Sequence, residues 1–576
     1  MQTISPLTAL PTINQPVIID GYSQPGASAN TLAVGDNAAP LIELNGSGAG
    51  GGVGVQIAAS NSTIRGLIIN RFSGGGIQIL NGSASNTIAG NFIGTDATGA
   101  TALPNGFGGV GIFGTTNNLI GGTTPDARNV ISGNADAGIG ISSPGTTDNL
   151  VQGNYIGTNA AGTAIIQNFV GIRIEFGASN NTIGGTTPGA GNTIAFNTGN
   201  GVVVGLDTGD TGATGNTIRA NSIHDNARLG IDLGNDGVTA NGINPRTFPN
   251  NGQNYPVLTT ANLSGGNVTS TGTLTSTAST TFHLDFYANT AADPTGYGEG
   301  QTYLGSLAVT TNGTGNLAAP FTATFPIAPG QKVITATATN ATTNDTSEFA
   351  QDIIAQPIVT IGNVSQNEGN SGTTPFVFTV TLSAASGQTV TVNYATADGT
   401  ATTADNDYQA QNGALTFAPG VTTQTITVLI NGDTKAEPDE TFTVVLSSPA
   451  NATIAAGGGI GSGTIINDDG GLLLSPTSLP NGTVGQPYSQ QIVVSNGTAP
   501  YTFSLAGGTL PAGLTLGTDG KLAGTPTAAN PFTFMVQAKD AGGVTGSQQY
   551  TVTINAAPVI VPQPGGVAGW HEGCDL

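Results

Sequence analysis

Asn118-Leu119-Ile120-Gly121-Gly122-Thr123-Thr124-Pro125 returns 63 residues later as Asn181-Thr182-Ile183-Gly184-Gly185-Thr186-Thr187-Pro188. Gly90-Asn91-Phe92-Ile93-Gly94-Thr95 returns at the same interval as Gly153-Asn154-Tyr155-Ile156-Gly157-Thr158. A shorter period lies inside the long one. Gly-apolar pairs begin at Gly76, Gly109, Gly138, Gly171, Gly201 and Gly230, with steps of 33, 29, 33, 30 and 29. Asn-x-apolar triplets fall out of phase with them, at Asn86, Asn118, Asn149, Asn181 and Asn216. A repeat of this length is the signature of a solenoid.

The unit is built from strands. Gly138-Ile139-Gly140-Ile141 and Asn149-Leu150-Val151-Gln152 alternate apolar with small or polar residues, and no window carries a helical apolar stripe. Short strands between Gly and Asn corners, stacked coil on coil, make a parallel β-helix. Both residue types tolerate the left-handed bend of a tight corner. Stacked Asn side chains also satisfy buried backbone there. Ile77, Ile139, Ile172, Val202 and Ile231 are expected to point inward in one stack, and the extra lengths 95–105, 123–129 and 158–168 to protrude as loops.

Working outward, residues 1–52 read as opening coils. Asp20-Gly21-Tyr22-Ser23-Gln24-Pro25-Gly26 resembles a stretch found near the start of bacterial surface β-helix proteins of the right-handed, pectin-lyase-like class. The start, Met1-Gln2-Thr3-Ile4, lacks the basic and apolar regions of a secretory signal. Pro16–Asp20 already reads as a strand, so the true beginning is expected upstream. The period fades after Leu229–Gly237. An open solenoid end needs covering, and 238–254 reads as cap and linker. The β-helix region is thus 1–254.

Three all-β modules follow. Residues 255–355 alternate cleanly in Thr281–Tyr287, Phe321–Phe325 and Lys332–Ala338, as a small β-sandwich does. Gly296–Gly305 and Thr346–Phe349 resemble the sandwich that often follows such β-helices. Its acids Asp285, Glu299 and Glu348 read as solvated or turn positions. Residues 471–556 contain Pro500–Ser504, Leu510–Leu516, Gly520–Pro526 and Tyr550–Ile554, which resemble the immunoglobulin-like, cadherin-like repeats of bacterial surface proteins. Asp540 reads there as a turn residue. The tail 557–576 is Pro- and Gly-rich and expected to be flexible; no site is assigned to Trp570, His571 or Cys574.

Residues 356–470 are the most informative. Strands at 375–382, 388–396, 414–418, 423–430, 440–448 and 461–467, in up-and-down order, bring Asp398, Asp433 and Asp468-Asp469 to one pole. Glu368, Glu437 and Glu440 sit just before or at the starts of strands that begin at that pole. Carboxylates so crowded repel unless a cation joins them, and Ca²⁺ accepts six to eight oxygens without fixed geometry. Asp398-Gly-Thr-Ala401, Asp407-Tyr408, Leu415–Gly420, Ile430-Asn-Gly-Asp433, Glu437-Pro-Asp-Glu-Thr-Phe442 and Ile466-Asn-Asp-Asp469 resemble the Calx-beta domain. In members that bind calcium, acids at these strand ends hold the ions. The resemblance implies Glu368, Asp398, Asp433, Glu437, Glu440, Asp468 and Asp469 as metal ligands. Gly432 and Asn467 stand where members often carry acids, which implies weaker or fewer sites.

Composition bounds the partners. With 33 acids against 11 bases the formal charge is −22, which argues against nucleic acid. No apolar run reaches transmembrane length. The single cysteine excludes a disulfide framework within one chain. A polysaccharide lyase or glycosidase is the alternative to consider, but fold alone does not imply catalysis. Such enzymes need paired carboxylates or calcium-bound acids with a base, whereas the repeats carry acids at no fixed offset. Arg65–Asp96, Arg173–Glu175 and His224–Asp225 read as surface pairs. The expectation is an extracellular or cell-surface adhesion protein, presenting a β-helix face to glycans or proteins.

Overall fold

The computed structural model describes residues 1–435 and 437–558. The chain divides into two compact units, Met1–Ile358 and from Val359 onward. Trp570, His571 and Cys574 lie outside the described residues.

In the first unit three parallel sheets, one of eight strands and two of seven, run the length of the β-helix. Coils stack in register. Ile77 pairs with Val110, Val110 with Ile139, Ile139 with Ile172, Ile172 with Val202, and Val202 with Ile231. All six are buried in one continuous core. Each coil therefore places β-branched side chains over those of the last, the packing that parallel strands favour.

Asparagine holds the corners. Asn86, Asn118, Asn149 and Asn181 each donate their backbone N–H to the Oδ1 of the next rung, at 3.0–3.2 Å. Asn216 continues the line to Asn250 at 3.0 Å. Two further ladders run through Asn91, Asn129, Asn154, Asn192 and Asn221, and through Asn105, Asn134, Asn168, Asn197 and Asn226. These side chains supply acceptors and donors that corner backbone would otherwise lack.

The long insertions do not simply protrude. Residues 95–105 and 158–168 fold over the outer face of one sheet, where Ile68, Phe92, Val130 and Ala160 form a second small apolar cluster with Ala38 and Ala97. The loop between Tyr22 and Ala39 joins them. Arg128 pins it through the carbonyls of Leu32 (3.2 Å), Ala33 (2.8 Å) and Gly35, with its guanidinium 4.5 Å over the Tyr155 ring.

The small sandwich closes the β-helix rather than following it as a separate bead. Tyr287 and Phe349 belong to the same buried core as Ile231. This overturns the solvated reading of its acids: Asp285, Glu299 and Glu348 are 0%, 5% and 3% exposed. Asp285 receives Arg219 Nε at 2.6 Å and Nη2 at 2.8 Å. Glu348 accepts the backbone N–H groups of Leu233 (3.0 Å) and Thr239 (2.8 Å). The last coil leaves donors without a following coil, and these carboxylates take them. The expected Arg65–Asp96 pair is instead Arg65–Asp20 at 3.4 Å, while Arg173 bridges Asp136 at 3.0 Å and Glu175 at 3.7 Å.

The second unit is a pair of sandwiches. In the first, Gly372–Leu382 pairs antiparallel with Thr423–Gly432. The facing sheet orders Val364–Asn367, Ile460–Ile466, Glu440–Ala450, Val390–Ala397 and Asn412–Phe417. Val364–Asn367 is an additional strand, parallel to Ile460–Ile466. Phe376, Phe378, Phe417 and Phe442 fill the space between. The second sandwich packs Phe534, Val536, Tyr550 and Val552 of two long antiparallel strands over Leu522 and Ile492.

Candidate metal centre

Strand register builds the acidic pole. Gly372 pairs with Gly432, Asn367 with Ile466, and Glu440 with Ile465, so these strand ends lie side by side. Glu368 and Asp433 immediately follow two of these strands, Asp468-Asp469 follow a third one residue later, and Glu440 begins a fourth.

The acids form two groups. In one, Asp407, Glu437 and Glu440 each place a carboxylate oxygen within 4.8 Å of the others. Glu440 is pushed up to about 7, chiefly by loss of water and then by Asp407. In the other, Glu368 is pushed up to about 7, first by burial and then by Asp433, Asp469, Asp468 and Glu437. Glu437 acts on both, and Lys435 forms an ion pair with it. Asp469 is raised by burial, Asp468, Asp433 and Asp540. It is 3% exposed, and neither of its side-chain oxygens has a hydrogen-bond partner. A buried carboxylate with both oxygens unpartnered is costly unless a cation meets it.

Asp398 is anchored in its own loop at the same pole. Its Oδ1 accepts from the Tyr408 hydroxyl at 2.5 Å and from Thr403 N–H at 3.1 Å. Tyr408 stacks 4.5 Å from Phe442, so Asp398 fixes the loop that carries Asp407. Asp407 belongs to the Asp407-Tyr408 motif, and the family resemblance alone does not imply it as a ligand. The signal for it is the return of its loop to the strand Thr423–Gly432, where Asn431 donates to the Asp407 carbonyl at 2.9 Å.

Both departures from the family pattern have local causes. A Cβ at Gly432 would run into the Gly369 carbonyl. Asn467 donates its amide to the Glu437 carbonyl at 2.6 Å and accepts from Asp469 N–H at 3.0 Å, tying two loops of the pole together. Asp540 accepts from Thr498 and Val544 N–H groups, as a turn residue does.

The donor set is all carboxylate, the hard oxygen chemistry that suits Ca²⁺ and gives nothing to a soft metal. The architecture thus defines a parallel β-helix with β-sandwich modules, one of which carries an acidic pole. Residues 356–469 match the Calx-beta domain, and residues 471–555 match the family named Putative Ig domain. No curated protein matches the chain. Among solved structures, the apo form of the Calx CBD1 domain is 27% identical, covering 20% of this chain and 99% of that one, with a TM-score of 0.18. CBD12 of CALX1.2 is 20% identical, covering 31% and 79%, with a TM-score of 0.22. Mouse cadherin-23 EC22-24 is 15% identical, covering 48% and 86%, with a TM-score of 0.18. No helix among the described residues is long and apolar enough to cross a membrane.

Proposed function

We propose that this is an extracellular adhesion or matrix protein. Its β-helix unit presents a lateral surface to glycans or proteins, and its Calx-beta module binds calcium at the acidic pole. The observation that carries the calcium reading is Asp469, buried with both oxygens unpartnered beside Glu368, Asp433 and Asp468. Calcium there would relieve the repulsion that raises Glu368 and Asp469, leaving Glu437, Glu440 and Asp407 as the second group able to hold an ion. The Calx-beta and immunoglobulin-like modules support the adhesion reading, because such sandwiches serve as stalks and contact surfaces.

The test is calorimetric titration of the full chain with calcium, with melting followed in parallel. A ligand that binds only the folded state adds about 2.7 kcal/mol at a hundredfold excess over Kd. Heat of binding together with a higher melting temperature supports the reading. No shift, or an equal shift in an Asp433→Ala/Asp468→Ala variant, leaves only a solvated acidic pole.

A further inference from the structure

At the end of the β-helix lies a cavity of about 340 Å³, lined by Thr211, Pro245, Arg246, Thr247, Phe248 and Asn251. No carboxylate lines it, in a chain with 33 acids and 11 bases. Arg65, Arg71, Arg173 and Arg219 each meet an acid, and Arg128 is spent on four carbonyls. Arg246 is half-buried and meets no acid among the described residues. Its guanidinium has one long bond, from Nη1 to the Ala240 carbonyl at 3.4 Å, and its Nε is buried without a partner.

The arginine is held in place. Its backbone N–H donates to the Asn251 carbonyl at 3.0 Å. The guanidinium carbon sits 4.9 Å over the Phe248 ring, and the side chain lies against Gly252, where a Cβ would collide with it. Asn251 is fixed too, because its Nδ2 donates to buried Asp345 at 2.7 Å, leaving Oδ1 to accept. A guanidinium keeps its charge at every working pH, and its planar fork matches a carboxylate. Thr211, Thr247 and Asn251 line the same cavity and bring hydroxyls and an amide oxygen that pair with alcohols.

We propose that this cavity binds one carboxylate-bearing sugar of an acidic glycan, with the carboxylate on Arg246 and ring hydroxyls on Thr211, Thr247 and Asn251. The proposal rests on the reading of the β-helix unit as a glycan-presenting surface, and it names the sugar class.

The experiment is saturation-transfer NMR of the full chain with glucuronate and galacturonate, beside glucose, galactose and acetate. The uronates are expected to saturate at about millimolar concentration, with the neutral sugars and acetate at least about tenfold weaker. Arg246→Ala should abolish binding, and Arg246→Lys should weaken it about fivefold or more, since the fork is lost. Thr247→Trp fills the mouth from an exposed position, leaves the guanidinium intact, and should also abolish binding. Melting curves establish that each variant folds. Absence of saturable uronate binding, or undiminished binding in both Arg246→Ala and Thr247→Trp, overturns the proposal. So does acetate binding as tightly as a uronate. Retention of the chain on a glycan array, unchanged in both variants, would leave the wider glycan reading standing and this pocket rejected.

Discussion

Glu299 takes the place of the next asparagine after Asn226. Its Oε2 accepts the Asn226 backbone N–H at 2.9 Å and its Oε1 accepts the Asn226 side-chain N–H at 2.8 Å. These are the two bonds that Asn197 makes to Asn226 one coil earlier. The sandwich therefore continues a ladder that the solenoid itself has ended. Asn250, from the segment after the last coil, does the same for the ladder through Asn216. The β-helix is finished by residues that are not part of its repeats.

Glu299→Ala should accordingly destabilise the first unit by about 2–5 kcal/mol, because it strands two buried donors. Amide hydrogen exchange is the measurement that localises the effect. Protection should fall first around Asn226 and Asn197, at the closing end, and last in the opening coils.

The same carboxylates give the first unit a pH dependence. Burial pushes Glu299 up to about 8 and Glu348 up to about 7. A carboxyl group raised in the folded state binds more protons folded than unfolded. Its stabilising effect is fully present below the ordinary carboxylate range and is lost as pH rises through the folded value. Between pH 5 and pH 9 the wild-type melting temperature should fall relative to that of Glu299→Gln, which cannot titrate. Parallel curves for the two proteins would contradict this.

Arg219 and Asp285 tie the last coils to the sandwich through a bidentate pair at 2.6 and 2.8 Å, with Asp285 fully buried. Arg219→Ala leaves that carboxylate unpaired and should cost about 3–5 kcal/mol. An Arg219→Met/Asp285→Leu double variant should recover most of the loss, since the desolvated charges go together. Chemical denaturation of the three proteins checks both outcomes.

What the sequence made legible follows from distance along the chain. The coils announce themselves because Ile139, Ile172 and Val202 recur at one spacing and every coil repeats the same local problem. The sandwiches are legible through alternation and motifs. The burial of Asp285, Glu299 and Glu348 is not, because their partners lie 66, 73 and 115 residues earlier. Nothing beside those acids in sequence marks Glu299 as the end of a ladder, or Asp285 and Glu348 as partners of the last coils. The place of Asp407 is hidden in the sequence for a related reason, since a loop fixed by Asp398 and Tyr408 carries it to Glu440. By contrast, Glu368, Asp433 and Asp468-Asp469 could be gathered from strand order alone.

Calcium binding at the pole should weaken in acid. Glu368 and Glu440, both pushed up to about 7, must lose their protons to hold an ion. Affinity should therefore fall about ten- to hundredfold from pH 8 to pH 6, with protons released on binding. Titration in buffers of different ionisation enthalpy reads both quantities. Without calcium the sign reverses: the raised carboxyls favour the folded second unit below the ordinary carboxylate range, and that stability is lost as pH rises through about 7. A melting temperature of this unit that rises with pH only when calcium is present is the expected pattern.

Restoring the family's acid at position 432 should do harm. The expectation from charge alone is that Gly432→Asp adds a ligand and tightens calcium. The backbone forbids it, because a Cβ there meets the Gly369 carbonyl and lies 3.0 Å from that of Glu368. Making room would shift the segment that positions Glu368, so the substitution should lower the stability of the second unit by about 1–3 kcal/mol and weaken calcium binding. Gly432→Ala separates shape from charge. If the clash governs, alanine and aspartate cost the same in calcium-free melts. If aspartate alone tightens binding, the loop has given way and the steric argument fails. Asn467→Asp is the companion case: it loses the 2.6 Å donation to the Glu437 carbonyl and sets a carboxylate against that oxygen, so it too should loosen the pole rather than strengthen it.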